Sequence, residues 1–390
     1  MKKTLTFSML FAFTLSFSQQ YSQKWADVNF VGDGKVYHNM DIYLPKAAKT
    51  NYPVVVHLYG SAYMSDNSKG ADMNNVGSAL LDAGFAVVVP NYRSVSDAIY
   101  PAQINDVKAV IRFLRGNAQT YKLDTSFIGI SGCSSGGQLA ALAGTTNHVK
   151  NYTVGTATAD IEGTLGNFTS YGSDVDATCD WFGPTNFLTM DSCGSSISNN
   201  DAGSPASKLV GGPIQNNKDK VALTNPATFA DPSDPPFLII QGDKDALVNE
   251  CQSVSFYNAL QKKAVNSQLI IVPGGGHYDN VTLSTANINA EVQFFLKKRS
   301  EVVTSIDPSE TDTDLGISIY VYKSAQEYRV HVSNMQDVTE YELVDLSGKH
   351  MMEGWVEGND IRLPSLQNGL YVIRFQRKDG RAISKKVWIY

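Results

Sequence analysis

The sequence predicts an α/β protein, a mostly parallel sheet with helices on both faces, followed by a small all-β sandwich. Three observations carry this. Between residues 25 and 300, β-rich runs alternate with stretches of helical periodicity, the pattern of strands joined by crossover helices. Several of the runs are apolar without interruption, Pro53-Val54-Val55-Val56-His57-Leu58 most clearly, as a strand buried on both faces requires. Near residue 300 the character changes to a polar stretch and then to short alternating runs broken by turn dipeptides.

Taken in order, residues 1–18 read as an export signal. Lys2 and Lys3 start it, an apolar stretch follows, and Ser16 and Ser18 place small side chains before a cleavage point near Gln19. The apolar stretch is shorter than the ~20 residues a membrane-spanning helix needs. Strands are expected at 40–44, 53–58, 85–89, 127–131, 177–182, 236–241 and 268–272. Helices are expected at 73–83, 102–118, 253–263 and 286–298; in the second, Ile104, Val107, Ile111 and Leu114 recur at helical spacing. Residues 185–225, rich in Ser, Asn and Gly, read as a loop-like cap. The polar run at 305–314 reads as a linker. The expected division is therefore 1–18 signal, 19–300 catalytic domain, 301–316 linker and 317–390 β-sandwich. In the last part Tyr371, Ile373 and Phe375 alternate with Val372, Arg374 and Gln376, and Asn368-Gly369 and Asp379-Gly380 mark turns.

Composition narrows the function. Hydrophobic residues at 43% and charged residues at 18% are an ordinary globular balance. A net charge of −6 with no basic run in the mature chain argues against nucleic acid as a partner. No later segment is long and apolar enough for stable membrane insertion, so the mature chain is expected to be soluble. The four cysteines, Cys133, Cys179, Cys193 and Cys251, suit an oxidising destination and allow three pairings; none forms the Cys-x-x-Cys of a zinc site.

The chemistry centres on Gly132-Cys133-Ser134-Ser135-Gly136, a G-x-S-x-G pattern between an expected strand and an expected helix start. Glycines there permit a sharp turn that exposes the serine, and the helix N-terminus favours developing negative charge. A serine needs a base. His277 closes the glycine loop Pro273-Gly274-Gly275-Gly276 just after a strand, whereas His57 falls in or at the end of a buried one. An orienting carboxylate is expected on the loop Gln241-Gly242-Asp243-Lys244-Asp245, which offers two aspartates. Backbone donors for an oxyanion are expected from Ser135 and, on the loop after strand 53–58, from Ser61 and Ala62. Tyr63, Trp181 and Leu247 are the candidate substrate-binding side chains.

These residues make residues 21–300 resemble bacterial carboxylesterases of the α/β-hydrolase superfamily, in the esterase/lipase branch that contains feruloyl and acetyl-xylan esterases. The resemblance runs through Asn91-Tyr92-Arg93, Tyr100-Pro101-Ala102 to Asp106-Val107-Lys108, the serine turn, Asp180-Trp181-Phe182-Gly183-Pro184, Pro235 to Ile240 and Pro273 to His277. It implies an α/β-hydrolase fold and ester hydrolysis through an acyl-enzyme. The triad it implies is Ser134, His277 and Asp245, with Asp243 a turn former bonded to its own backbone, and it implies no metal or organic cofactor. It also favours pairing Cys193 with Cys251, leaving Cys133 paired with Cys179 or packed as a thiol. Two departures stand out: Tyr59-Gly60-Ser61 replaces the family's usual His-Gly-Gly, and Cys133 and Ser135 flank the serine where the family often has an aromatic residue or histidine and an alanine.

Residues 317–390 resemble the sorting domain of type IX secretion substrates, through 341–348, 368–372 and the ending Lys385-Lys386-Val387-Trp388-Ile389-Tyr390. That resemblance implies an outer-membrane translocon as partner and a secreted or cell-surface destination from a Gram-negative bacterium. An adhesive or carbohydrate-binding module is the competing reading of this part. For the whole chain the expected substrate is an ester on plant polysaccharide, acetyl or feruloyl. The competing readings are a general carboxylesterase, lipase or polyester hydrolase, and a non-catalytic binder on a hydrolase scaffold.

Overall fold

The computed structural model describes residues 20–305 and, beyond them, 318–324, 327–333, 338–345, 349–355, 360–363, 366, 369–378 and 382–389. The expected signal (1–18) and residues 306–316 of the expected linker lie outside the described residues. The chain divides into two compact units between Val303 and Thr304.

The first unit is built on strands β1 (Gln23–Asn29), β2 (Asn39–Leu44), β3 (Tyr52–Leu58), β4 (Ala86–Pro90) and β5 (Leu123–Cys133). A separate hairpin of β6 (Asn151–Val154) and β7 (Ala157–Asp160) follows, and then β8 (Ala177–Trp181), β9 (Phe237–Gly242) and β10 (Ser267–Val272). The central sheet has the order β1-β2-β4-β3-β5-β8-β9-β10. Its β1–β2 and β2–β4 pairs are antiparallel and all the others parallel. This is the α/β-hydrolase fold.

The helices are α1 (Ser78–Asp82), entered through a π turn at Met73–Gly77, α2 (Ala102–Gly116), α3 (Ser135–Thr145), α4 (Pro205–Val210), α5 (Lys218–Thr224), α6 (Cys251–Lys262) and α7 (Thr285–Ser305). Alternation along β3 explains why that strand is apolar throughout. Val54, Val56 and Leu58 pack with Ile104, Val107, Leu139 and Leu142 of α2 and α3, whereas Val55 packs with Leu80 of α1 and Phe295 of α7. Both faces of the sheet are covered, so each strand residue has an apolar destination.

Three expectations need correction. The segment 185–225 is not simply loop: it carries α4, α5 and 3-10 turns at Phe187–Thr189 and Ile214–Asn216. The start of α4 was legible in principle, because Ser204 Oγ accepts the Ser207 N–H (3.0 Å), Pro205 opens the helix and Gly211 closes it at φ +79°. The expected linker cannot begin at 301, because α7 continues to Ser305. Strand β1 and the β6–β7 hairpin were not anticipated.

The second unit has strands β11 (Ser318–Ser324), β12 (Glu327–Ser333), β13 (Val338–Asp345), β14 (His350–Trp355), β15 (Asp360–Arg362), β16 (Gly369–Arg377) and β17 (Ala382–Ile389). They form two small sheets, β11-β12-β15 and β14-β13-β16-β17. Val330 and Val332 of one share a core with Leu343, Ile373, Phe375 and Val387 of the other.

Because each unit has its own core, a chain of residues 20–305 should fold alone. It is expected to melt in one cooperative transition and to keep its activity on small esters within about twofold. A soluble, folded truncation with greatly reduced activity would contradict this.

Candidate active site

Strand β5 ends at Cys133 and α3 begins at Ser135, so Ser134 alone makes the turn, at φ 55° and ψ −121°. A non-glycine residue in that region is strained, and the surroundings must hold it there. They do so by backbone-to-backbone contact. A Cβ on Gly132 would lie 2.3 Å from the Gly136 carbonyl oxygen, and one on Gly136 would lie 2.3 Å from that of Leu58. The two glycines are thus required by close approach, and the Ser134 N–H is tied to the Trp181 carbonyl at 2.8 Å.

His277 Nε2 lies 3.0 Å from Ser134 Oγ, and His277 Nδ1 lies 2.6 Å from Asp245 Oδ2. A carboxylate only accepts, so Nδ1 carries the proton and Nε2 is left to accept the serine O–H. The Asp245 side chain is buried, and its lone pairs are taken up. Oδ1 accepts the N–H groups of Leu247 and Val248 at 2.9 Å each, and Oδ2 also accepts Gln241 Nε2 at 3.3 Å. Asp243 does not bond its own backbone as expected. Its Oδ1 accepts the N–H of Gly274 at 2.7 Å, joining the start of the histidine loop to the aspartate loop.

Ser134 and His277 open onto a cavity of about 250 Å³, with Asp245 buried behind the histidine. Its wall is mostly apolar: Phe187, Met190, Ile197 and Ala206 from the cap segment, and Leu247 and Val248 from the aspartate loop. Tyr63 also lines it, with its hydroxyl donating to Gln138 Oε1 at 3.2 Å. Trp181 does not. It is fully buried, and its indole N–H donates to Glu291 Oε2 at 2.7 Å, because the apolar β8 position that the sequence pattern highlighted faces the core. Phe187, Met190 and Val248 were missed by sequence reasoning, since nothing local marks a cap residue as pocket wall.

The loop after β3 turns through left-handed conformations at Ala62 (φ 51°) and Tyr63 (φ 62°). Ser61, expected as an oxyanion donor, instead directs its N–H to Ser135 Oγ at 2.9 Å. The side chain that replaces the family's usual alanine thus takes up that donor. Ser135 and Ala62 line the cavity together with Ser134.

The cap is stitched to the aspartate loop. Ser196 N–H donates to the Ala246 carbonyl (2.7 Å), Ser195 Oγ to that of Leu247 (2.9 Å), and Gln252 Oε1 accepts Asn186 N–H (2.7 Å). The disulfide pairs Cys193 with Cys251 across 58 residues, as the resemblance favoured. Cys133 and Cys179 are free and buried, and burial pushes both thiols well above the usual thiol value. Cys133 therefore remains a packed thiol behind the serine rather than a second nucleophile. Among the described residues, His57, Asp72 and Cys133 are the one group whose ligand atoms lie close enough together, within 4.8 Å, to suit a cation. Their atoms already satisfy one another and their neighbours: His57 Nε2 lies 3.2 Å from Asp72 Oδ2, and His57 Nδ1 lies 2.6 Å from Ser131 Oγ.

A strained serine at a strand–helix turn, with histidine and aspartate in line, on this sheet order, is the nucleophile–base–acid arrangement of an α/β-hydrolase. The family model described as BD-FAE matches residues 40–260, more than half of the 390, and the chain belongs to the BD-FAE family. It is similar to Esterase LipC of Mycobacterium tuberculosis, 28% identical over 231 residues, which are 58% of this chain and 52% of that protein. The chain spans about half the length of the mycobacterial esterases it matches. Among solved structures it is similar to a truncated carbohydrate esterase from gut microbiota (45% identity, TM-score 0.70, 73% of this chain and 98% of that one). It is also similar to a bifunctional GH43-CE protein of Bacteroides eggerthii (47% identity, TM-score 0.68, 70% of this chain and 35% of that one).

Two outcomes follow from the geometry. Asp245→Asn should lower kcat by roughly 10³–10⁴-fold, because the imidazole loses its tautomer partner, while Asp243→Asn, which keeps an acceptor for Gly274, should change it only a few-fold. Steady-state kinetics of the two variants decide this, and the reverse order would move the acid to Asp243. Mild reduction of Cys193–Cys251 should lower stability by up to ~4 kcal/mol, the loop-entropy value for so long a closed loop. Calorimetry reads that loss, and turnover of bulky esters should change more than turnover of acetates.

Proposed function

We propose that the protein hydrolyses carboxylic esters through an acyl-enzyme on Ser134, and that its natural substrates are acyl groups carried on carbohydrate, such as acetyl or feruloyl esters of plant polysaccharide. The observation that carries the reading is the Asp245–His277–Ser134 relay, at 2.6 and 3.0 Å, opening onto the cavity. In this mechanism Ser134 Oγ attacks the ester carbonyl carbon as its proton passes to His277 Nε2, and Asp245 stabilises the imidazolium that forms. The oxyanion is held by the N–H groups of Ser135, at the first turn of α3, and Ala62. Collapse breaks the bond to the alcohol oxygen, which leaves with the proton from His277. A water molecule, activated by the same nitrogen, then attacks the acyl carbonyl and returns Ser134 with release of the acid.

The carbohydrate part of the proposal is supported by the likeness to the truncated carbohydrate esterase from gut microbiota, which at 45% identity resembles this chain far more in sequence than Esterase LipC does at 28%. The apolar wall of Phe187, Met190, Ile197, Leu247 and Val248 favours a second reading, a general carboxylesterase, lipase or polyester hydrolase using the same triad. For the C-terminal unit we read a β-sandwich that serves as a type IX sorting module after removal of the signal at 1–18. The separate core of that unit supports this, together with the resemblance of 341–348, 368–372 and 385–390. Cells expressing the chain truncated at Ser305 should then retain an active enzyme within the envelope.

Ser134→Ala should abolish nearly all turnover, by roughly 10⁴-fold or more, and should abolish labelling by a fluorophosphonate probe. Near-normal hydrolysis by the folded variant would refute the nucleophile. Acetylated xylan and feruloylated arabinoxylan tested beside short p-nitrophenyl esters separate the two substrate readings. Release of acetate or ferulate from polymer supports the first, and turnover confined to the small esters supports the second.

A further inference from the structure

Three consecutive residues of the loop after β3 are each held by a side chain from a different element. The Tyr59 carbonyl accepts the Tyr92 hydroxyl (2.8 Å), the Gly60 N–H donates to Tyr278 Oη (3.0 Å), and the Ser61 N–H donates to Ser135 Oγ (2.9 Å). The next residue is Ala62, the donor proposed for the oxyanion, in a left-handed conformation that a lone alanine does not prefer. The middle clamp is unusual in where it comes from. Tyr278 directly follows His277, and is itself left-handed at φ 58°.

The Tyr278 ring is half-buried and packs edge-on against Phe182, with centroids 5.2 Å apart. Its hydroxyl has Asp72 Oδ2 at 3.5 Å. Burial pushes the phenol well above its ordinary value, so it stays protonated. Asp72 is held in turn by His57, and His57 by Ser131 of the strand that bears the nucleophile. None of these groups lies on the proton route from Ser134 to His277. There is also no slack in the contact: a Cβ on Gly60 would lie 2.8 Å from Tyr278 Oη and 2.8 Å from Ser134 Cβ. A shift of the Gly60 peptide is therefore a shift beside the nucleophile.

We infer that Tyr278 is a positioning residue, whose hydroxyl oxygen fixes the Gly60 peptide and thereby aims the Ala62 N–H at the oxyanion, so that one short segment places both the base and the oxyanion loop. The inference rests on Ser134 being the nucleophile. Its consequence is confined to the transition state, because the neutral ester does not need the donor as the oxyanion does.

The test is Tyr278→Phe in the full chain. Expected are a kcat lower by roughly 10–100-fold, a KM unchanged within about twofold, and a boronic acid that forms a tetrahedral adduct at the serine weakened by the same factor as kcat. The inhibition constant of the product acid should not move, and the melting temperature should stay close to that of the parent. An unchanged kcat, or losses in kcat, KM and melting temperature together, would overturn the inference. If the phenylalanine chain does not melt cooperatively, 3-fluorotyrosine at position 278 weakens the oxygen as an acceptor while keeping the shape. A fall in kcat at constant KM then supports the inference, and no change overturns it. Fluorophosphonate labelling of Ser134 in the parent chain, run alongside, separates failure of this inference from failure of the nucleophile assignment.

Discussion

The rest of the site depends on how closely the backbone at the end of β3 approaches the turn at Ser134. The Leu58 and Tyr59 carbonyls sit where side chains on Gly132 and Gly136 would have to go. That contact lets β5 pass into α3 in a single residue and holds Ser134 in a conformation it would not adopt alone. It also brings the loop at Tyr59 to Tyr63 over the N-terminus of α3, where donors can meet an oxyanion. Loosening the contact would release the strain at the serine and move the loop together.

The second organising constraint is the need to satisfy a buried carboxylate. Asp245 is held by two backbone N–H groups, the Gln241 amide and the His277 ring. Gln241 is fixed in turn by the Val248 carbonyl and the Ser253 hydroxyl. The Leu247 and Val248 peptides that orient Asp245 belong to residues whose side chains line the cavity. Substrate wall and catalytic acid therefore share a backbone, and the Cys193–Cys251 bridge extends that coupling into the cap.

Much of the fold was legible because both of its signals are local. Strands buried on both faces must be apolar at every position, so β3, β4 and β9 announced themselves, and α2 did so by its spacing. Strand β1 escaped because it alternates irregularly between exposed and partly buried residues at the sheet edge. The short helices of the cap escaped because a Ser- and Asn-rich composition hid good capping signals. Arg93 and Asp106, which stood in two separate matching stretches, turn out to be one ion pair, Nε to Oδ1 at 2.9 Å, that anchors the loop carrying Tyr92.

The sequence by itself determined the G-x-S-x-G turn, its placement between strand and helix, the Ser–Asp–His order along the chain and the glycines that the turn needs. These follow from backbone geometry over a few residues. Only the tertiary structure decided that Asp243 bonds the Gly274 N–H, that the Ser61 N–H is taken by Ser135, that Trp181 is core rather than pocket, and that Tyr278 reaches Gly60. The partners in that last contact are 218 residues apart, and those in the serine–histidine contact 143. Contacts at such separations are set by how the loops at the ends of the parallel strands of one sheet, β3, β5 and β10, converge, and no local pattern encodes that.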